Sequence, residues 1–220
     1  MPGLYIGLMS GTSMDGIDAA LATDDAHPTV LGHVHHPMPA VLRDTLLALN
    51  TPGGDELHRA TLAANALATE YAAVVRALLA QAHVAARDIV AVGCHGQTVR
   101  HRPDAGYTLQ LVNGALLAEL SGISVICDFR SRDIAAGGQG APLVPAFHHA
   151  VFADPLQARA IVNIGGIANI TSLPVRGDVR GFDCGPGNVL LDGWIRRHRQ
   201  LDYDANGAWA REGKVLPGML

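Results

Sequence analysis

The first part of the chain alternates short apolar runs with polar turns that contain glycine. The apolar runs cover residues 4–9, 17–22 and 29–34, each the length of an ordinary strand. Glycine, serine and aspartate, which favour turns, separate them. This pattern predicts two or three antiparallel strands joined by turns.

A helical period replaces this pattern between residues 55 and 84. Apolar positions recur there in alternating steps of three and four residues, with few helix breakers between them. These positions are Leu57, Ala60, Ala64, Leu67, Tyr71, Val74 and Leu78. Such a stripe predicts one face of a long helix, and a core helix packed on a sheet explains it better than a coiled coil.

Further strands and a short helix follow. Apolar runs at residues 89–93, 107–112 and 123–129 predict strands. Before the last of them, Asn113 stands where it would cap a short helix, and Gly122 stands where it would end one. We therefore expect an αβ unit in this part of the chain.

The polar, glycine-rich passage at residues 128–140 predicts a domain boundary. It divides the chain into a first unit, residues 1–127, and a second unit, residues 128–220. The second unit repeats the opening of the first, because residues 160–171 again predict a strand, a glycine turn and a strand. The repeat is one of pattern and not of residue identity.

Composition narrows the class of protein. The chain has 220 residues, of which 49% are hydrophobic and 16% charged, with a formal charge of −4. The acidic balance argues against a nucleic-acid partner, and the uncharged stretches do not resemble membrane helices. Cys94, Cys127 and Cys184 lack paired spacing, which favours free thiols in the cytoplasm.

The turn after the first apolar run has the features of an anion-binding loop. Gly11 and Gly16 permit φ > 0, so that backbone N–H groups can converge on a ligand. Lys214 is the only lysine, so a lysine-containing P-loop is excluded. The alternative is a hairpin turn whose residues only satisfy turn geometry. The candidate phosphate-binding residues are Gly11, Thr12, Ser13, Met14, Asp15, Gly16, Ile17 and Asp18.

Two carboxylates in this turn suggest a cation. Asp15 and Asp18 would repel phosphate unless Mg²⁺ or its bound waters lie between them. Mg²⁺ is usually held by one or two carboxylates together with substrate phosphates. The sequence leaves the direct metal ligands open.

A second constellation surrounds Asp183. A strand predicted at residues 179–183 ends in a glycine-rich loop, after which Asn188 is predicted to cap a helix over residues 189–199. The helix N-terminus would attract an anion, and Asp183 would accept a proton from an attacking oxygen. The alternative is that Asp183 only caps the loop or the helix.

Two further groups are candidates for substrate binding. His95, Gln97 and Thr98 follow a predicted buried strand, where polar side chains suit recognition of sugar hydroxyls. A metal site with His95 lacks further ligands at a convincing spacing, and a purely structural histidine is the alternative. Arg130 and Asp133 lie in the glycine-rich passage, which we interpret as a flexible hinge facing the substrate or as a solvated linker.

Five motifs together resemble one family, the anhydro-N-acetylmuramic acid kinases. They are GLMSGTSMDGID at residues 7–18, CHGQTVRH at 94–101, DFRSRDIAAGGQGAPLVP at 128–145, NIGGIANIT at 163–171 and GFDCGPGN at 181–188. Five motifs in this order, spread over almost the whole chain, are far more specific than any one of them.

The resemblance implies the superfamily of actin, hexokinase and the sugar kinases, with two RNase H-like lobes around an ATP cleft. It implies that residues 11–18 are the ATP-phosphate loop and that Asp183 is the catalytic base; Mg²⁺ is expected with the ATP. A second phosphate loop would contain Asn163, Gly165 and Gly166. The implied reaction uses ATP and water to convert 1,6-anhydro-N-acetylmuramic acid to N-acetylmuramic acid 6-phosphate in cell-wall recycling.

The chain departs from the family pattern in two ways. Cys184 replaces the usual threonine, and family members continue well beyond residue 220, so we expect an incomplete second lobe. Alternatives are another sugar kinase or phosphatase of the superfamily, or a non-catalytic sugar- or nucleotide-binding fragment. The sequence leaves the oligomeric state open, with a homodimer as one option.

Overall fold

Two units make up the chain, Met1–Leu143 and Val144–Leu220. They are seen in a computed structural model that describes residues 2–11, 14–25 and 28–219. The division falls later than the boundary expected at residue 128. A helix directly after the expected boundary packs on a strand of the first unit, so this helix belongs to the first unit.

The first unit contains seven strands and four helices among its described residues. The strands are β1 (Leu4–Ser10), β2 (Gly16–Thr23), β3 (Val30–Pro37), β4 (Ile89–Cys94), β5 (Gln97–Arg102), β6 (Tyr107–Leu111) and β7 (Val125–Ile126). The helices are α1 (Ala40–Ala48), α2 (Glu56–Ala82), α3 (Gly114–Ser121) and α4 (Phe129–Ala135).

Five of these strands form a mixed sheet in the order β3-β2-β1-β4-β7. β1, β2 and β3 are antiparallel neighbours, as predicted, while β4 runs parallel to both β1 and β7. The side chains of Ile6, Leu8, Ile17 and Leu21 are almost fully buried. A register shift of one residue would move them to the other face, so the burial specifies the pairing.

Helix α2 covers this sheet, as its apolar stripe predicts. Leu67, Tyr71, Val74 and Leu78 are fully buried, whereas Leu57, at the start of the stripe, is exposed. Among the described helices, α2 alone is long and apolar enough to cross a membrane, and 44% of its apolar window is buried. A core helix of a soluble protein meets the same test.

Three elements of the first unit differ from the sequence predictions. The helix α1 and the strand β5 were not expected, and β5 pairs with β6 in a separate two-stranded sheet. The passage interpreted as a flexible hinge is instead the helix α4 followed by a loop. The prediction of the α3 caps is confirmed: Asn113 Oδ1 accepts from the Leu116 N–H at 3.0 Å, and Gly122 is left-handed.

The second unit contains three strands and three helices among its described residues. They are α5 (Val144–Phe152), β8 (Arg159–Ile164), β9 (Ile167–Leu173), β10 (Arg180–Pro186), α6 (Asn188–Arg199) and α7 (Ala208–Glu212). The strands form an antiparallel sheet in the order β10-β9-β8. Each unit thus begins its sheet with three consecutive antiparallel strands, which confirms the predicted repeat at the level of secondary structure.

Burial differs sharply between the two units. The large hydrophobic cluster lies in the first unit. Among the described residues of the second unit, only Leu173 and Ile195 are buried hydrophobic side chains, while Phe182, Leu191 and Trp194 are more than half exposed. All three cysteines of the chain are free, as predicted.

Candidate functional site

The first glycine turn joins β1 to β2. The Met14 N–H donates to the Gly11 carbonyl at 3.1 Å, which closes a tight turn. Met14 itself is left-handed, with φ of 52°, and its side chain is buried. A non-glycine residue in this region stores backbone strain, which functional loops often contain.

Gly16 is required in this turn for a different reason than expected. Its φ is not positive; instead, a Cβ at Gly16 would stand 2.3 Å from His35 Cε1 and 2.8 Å from the His36 carbonyl oxygen. Contacts this short force a neighbour to move. Gly16 therefore allows β3 to approach β2 closely, while Met14 makes the left-handed turn.

The other residues predicted to bind phosphate fall into three groups. Thr12 and Ser13 lie outside the described residues. The Ile17 side chain is buried in the core and does not face a ligand. Asp15 accepts from the Gly16 N–H at 3.1 Å, and the half-exposed Asp18 bonds through Oδ1 to two histidines of β3.

These two histidines are His33 and His35, at 3.0 and 3.1 Å from Asp18 Oδ1. Their side chains lie on the same face of β3 because they are two residues apart. Among the described residues, no group of three or more His, Cys, Asp or Glu side chains could hold a metal ion. The structure therefore gives these histidines a carboxylate partner.

Buried side chains from two other elements form hydrogen bonds with the first glycine turn and with Ser10, which precedes it. The Ser10 hydroxyl lies 2.8 Å from the Tyr71 hydroxyl, and both residues are almost fully buried. Burial raises the pKa of Tyr71, so that its hydroxyl remains neutral. Gln97 Nε2 donates to the Gly11 carbonyl at 3.3 Å. The turn is thus bonded to α2 and β5, which are distant in sequence.

His95 and Arg130 lie in direct contact. Arg130 Nε donates to His95 Nε2 at 2.8 Å, so this nitrogen is the acceptor and the ring proton is on Nδ1, which donates to the Gly96 carbonyl at 2.7 Å. Burial, and secondarily the Arg130 charge, lowers the pKa of His95. His95 is therefore neutral near pH 7 and orients the guanidinium.

Thr98 and Asp133 have separate surroundings. Thr98 Oγ1 accepts from Gln110 Nε2 at 3.2 Å, and Gln110 is a buried residue that the sequence reasoning missed. Asp133 Oδ2 accepts from the Gly140 N–H at 2.7 Å, and Arg130 Nη1 donates to the Gly140 carbonyl at 2.6 Å. The side chains of Arg130 and Asp133 therefore both form hydrogen bonds to the loop after α4.

The second glycine turn joins β8 to β9 and supports the start of α6. The Gly187 N–H donates to the Gly166 carbonyl at 2.8 Å, and the Asn188 N–H donates to the Gly165 carbonyl at 2.7 Å. These two N–H groups are therefore occupied by protein acceptors. The prediction that Asn188 caps α6 is wrong: Gly187 is the N-cap, and Asn188 Nδ2 donates to the Ile164 carbonyl at 3.1 Å.

Asp183 belongs to a row of polar residues across the second sheet. Asn169 on β9 pairs in register with both Asn163 on β8 and Asp183 on β10. Directly opposed residues project from the same face, with Cβ atoms about 4.5–5.5 Å apart. Asp183 and Asn163 are exposed. The register then shifts between Asp183 and Gly185, and such bulges often re-aim a side chain beside a site.

Asn169 was missed as a candidate by the sequence reasoning. Its Oδ1 is buried and has no hydrogen-bond partner among the described residues. The signal was present in the sequence, because Asn163 and Asn169 are polar interruptions of two otherwise apolar strands that flank the same turn. Hairpin pairing places such residues opposite each other.

The geometry defines a mixed α/β protein. A glycine turn joins two strands in each of its two larger antiparallel strand groups, and an exposed aspartate lies on a strand of the second unit's sheet. Comparison with known proteins makes this specific. The family model described as anhydro-N-acetylmuramic acid kinase matches residues 3–220. The chain belongs to the anhydro-N-acetylmuramic acid kinase family.

Individual relatives agree with this assignment. The anhydro-N-acetylmuramic acid kinase of Bordetella parapertussis is 61% identical over 222 residues, which cover 100% of this chain and 58% of that protein. The Nitrosospira multiformis protein of the same name is 58% identical, over 98% of this chain and 60% of that protein. The chain thus spans well under two thirds of the length of these curated relatives.

The alignment with a solved structure, YeaZ from Pseudomonas aeruginosa, covers 84% of this chain and 68% of the YeaZ chain. Its TM-score is 0.30 and its sequence identity is 12%, so the overlap carries no argument about the fold.

Proposed function

We propose that the protein is an ATP-dependent kinase that opens 1,6-anhydro-N-acetylmuramic acid with water and phosphorylates O6, giving N-acetylmuramic acid 6-phosphate and ADP. Family membership over almost the whole chain supports the reaction. The observation that carries the chemistry is the exposed position of Asp183 in the row with Asn163 and Asn169. An exposed carboxylate within a strand, next to a bulge, is accessible to a water molecule and a sugar.

The chemistry of the substrate explains why a base is required. O6 of the anhydro sugar is an ether oxygen and has no proton to lose. Asp183 accepts a proton from a water molecule while the water oxygen forms a bond to C1. The C1–O6 bond breaks with its electron pair on O6, O6 bonds to the γ-phosphorus, and the phosphorus–oxygen bond to ADP breaks. Attack opposite the bridge resembles inverting glycoside hydrolysis.

The first glycine turn is the proposed ATP-phosphate loop, with Asn163, Gly165 and Gly166 in a second one. The first proposal is supported by the strained backbone at Met14 and by the buried hydrogen bonds beneath the turn. The second has weaker support, since the Gly187 and Asn188 N–H groups beside it already donate to its glycine carbonyls and are not available to an anion. The two units are proposed to be RNase H-like lobes, the second of them incomplete in this chain.

Mg²⁺ is expected to accompany ATP. The oxygen donors of Asp15 and Asp18 fit a hard cation that is also held by phosphates. When bound, the ion would offset the charge of the phosphates. His33 and His35 hold Asp18 through one of its oxygens and thereby orient the carboxylate.

His95, Thr98, Arg130 and Asp133 remain proposed sugar-binding residues. The contact between His95 and Arg130 supports this for the pair, because a guanidinium held in place by a neutral ring suits an anionic group of the sugar. A cytoplasmic location, a homodimer and the absence of a membrane partner are also proposals.

An ADP-release assay tests the function. The intact protein is given ATP with anhydro-N-acetylmuramic acid, with glucose, or with no sugar. We expect ADP only with the anhydro sugar, together with a sugar phosphate detected by mass spectrometry. Turnover with glucose would indicate a kinase for a simple sugar, and binding without turnover would indicate a non-catalytic protein.

A further inference from the structure

We propose that Gln97 is a positioning residue of the first glycine turn and not a sugar-binding residue. Its side chain is fully buried, so it presents no surface to a substrate. Its Nε2 donates to the Gly11 carbonyl at 3.3 Å, across 86 positions of sequence. This inference rests on the proposed function, because it assigns Gln97 to the nucleotide side of the reaction.

The turn between β4 and β5 places the Gln97 side chain within hydrogen-bond distance of Gly11. The His95 N–H donates to the Leu8 carbonyl at 3.0 Å, so this turn lies beside the end of β1. Gly96 then adopts a φ of 72°, and a Cβ there would stand 2.8 Å from the Leu111 carbonyl oxygen. Glycine therefore permits the sharp turn that directs the next side chain inwards.

The Gly11 carbonyl accepts two hydrogen bonds, one from the Met14 N–H and one from Gln97. These two donors fix the direction in which the carbonyl points. The Gln97 side chain therefore holds Gly11, a candidate phosphate-binding residue, in one orientation at the start of the turn.

Stability does not account for an amide at position 97. Gln97 Oε1 is buried without a hydrogen-bond partner among the described residues, and the bond made by Nε2 is longer than the usual 2.9–3.0 Å. An unsatisfied buried acceptor offsets much of what one such bond contributes. Departures of this kind from polar satisfaction are expected at functional sites.

Gln110 offers a matched comparison on the neighbouring strand. It is also a buried glutamine whose Oε1 lacks a partner among the described residues. Its Nε2 donates to Thr98 and Thr108 instead of to the glycine turn. A change at Gln110 therefore removes a similar amide without touching the Gly11 carbonyl.

The test replaces each amide by an apolar side chain of similar length in the intact protein. For Gln97→Met we expect an unchanged melting temperature and about a tenfold higher KM for ATP, which corresponds to one lost hydrogen bond. The KM for the sugar at saturating ATP should stay the same. For Gln110→Met the KM for ATP should stay at the wild-type value.

A Gln97→Met protein with a normal KM for ATP and a raised KM for the sugar would overturn the inference in favour of sugar contact. If Gln97→Met does not fold, Gln97→Leu repeats the test, and loss of folding in both would show that the amide is structural. Wild-type protein that releases no ADP would refute the proposed function instead. The stabilisation of each variant by ATP in a thermal-shift assay would still measure the role of Gln97.

Discussion

The two glycine turns share one sequence pattern but are supported in different ways. The first is supported by side chains from distant elements, Tyr71 on α2 and Gln97 on β5. The second is supported by the backbone of the helix that follows its own sheet, through the N–H groups of Gly187 and Asn188. The turn of the first unit is therefore held by buried side chains, whereas the turn of the second unit is held by backbone N–H groups.

This difference has consequences for function. A turn supported by buried, directional hydrogen bonds can hold backbone N–H groups in one orientation, which suits phosphate binding. A turn whose carbonyls accept from the start of a helix is better suited to fixing the strands beside it, including β10, which carries Asp183. We thus expect changes near the first turn to alter nucleotide binding and changes near the second to alter turnover.

The largest expected effect comes from Asp183→Asn. Removal of the base should lower kcat by about 100- to 10,000-fold, while the KM for ATP changes little. Steady-state ADP release measures both. Asp178→Asn, an exposed aspartate before β10, is the control and should keep full activity. Full turnover by Asp183→Asn would remove the proposed division between the two turns.

Glycine substitutions should disrupt each turn by a clash with the backbone. A Cβ at Gly16 would meet the His36 carbonyl at 2.8 Å, and one at Gly187 would meet the Gly165 carbonyl at 2.3 Å. We expect each alanine variant to lose about 1–3 kcal/mol of unfolding free energy, measured by urea denaturation.

Controls for these substitutions lie in the neighbouring strand β1 and in helix α6. A Cβ at Gly7 on β1, or at Gly193 on α6, would have no atom within 4 Å. Alanine at Gly193 should stabilise the helix by up to about 1 kcal/mol. Equal losses at the clashing and the open positions would contradict the proposed packing of both turns.

Loss of the hydrogen bond between Ser10 and Tyr71 should change the free energy of unfolding by a similar amount. Tyr71→Phe leaves the buried Ser10 hydroxyl without a partner and should cost about 1–3 kcal/mol. The double variant Ser10→Ala with Tyr71→Phe should cost less than the sum of the single changes. A double-mutant cycle on unfolding free energies measures the coupling, and strict additivity would show that the bond is unimportant.

The smallest effect is expected from the titration of His95. Because its pKa is lowered in the folded state, the unfolded chain binds a proton at a pH where the folded protein does not. The contribution of neutral His95 to the free energy of unfolding is complete above the ordinary pKa of 6.5, and it is lost as the pH falls towards the lowered pKa. Unfolding free energies of wild type and His95→Gln at several pH values measure this, and equal slopes would contradict it.

Much of the fold was predictable because its signals are local. The apolar runs predicted β1, β2 and β3, the stripe predicted α2, and Asn113 and Gly122 marked the ends of α3. Strand β5 was missed because its polar residues make a weak apolar signal, and its pairing with β6 depends on partners elsewhere in the chain. Helix α4 was missed because glycines directly after it suggested a loop.

The candidate site was only partly predictable. The sequence identified Gly16 and Gln97, but it assigned φ > 0 to the first and sugar contact to the second. The structure makes Gly16 a point of close approach and places Gln97 in the interior. It also adds Asn169, which pairing across strands places between Asn163 and Asp183. Distance and burial across the chain decide such roles, and neither is encoded by a local motif.

The sequence by itself determined the family, the strand–turn–strand openings and the aspartate proposed as the base. Each of these depends on residue order, since motifs, periodicity and turn residues are local properties of a chain. Only the tertiary structure decided how the two glycine turns are supported, because Tyr71 and Gln97 reach the first turn through long-range packing. The structure thereby distinguished two turns that a shared sequence pattern made look alike.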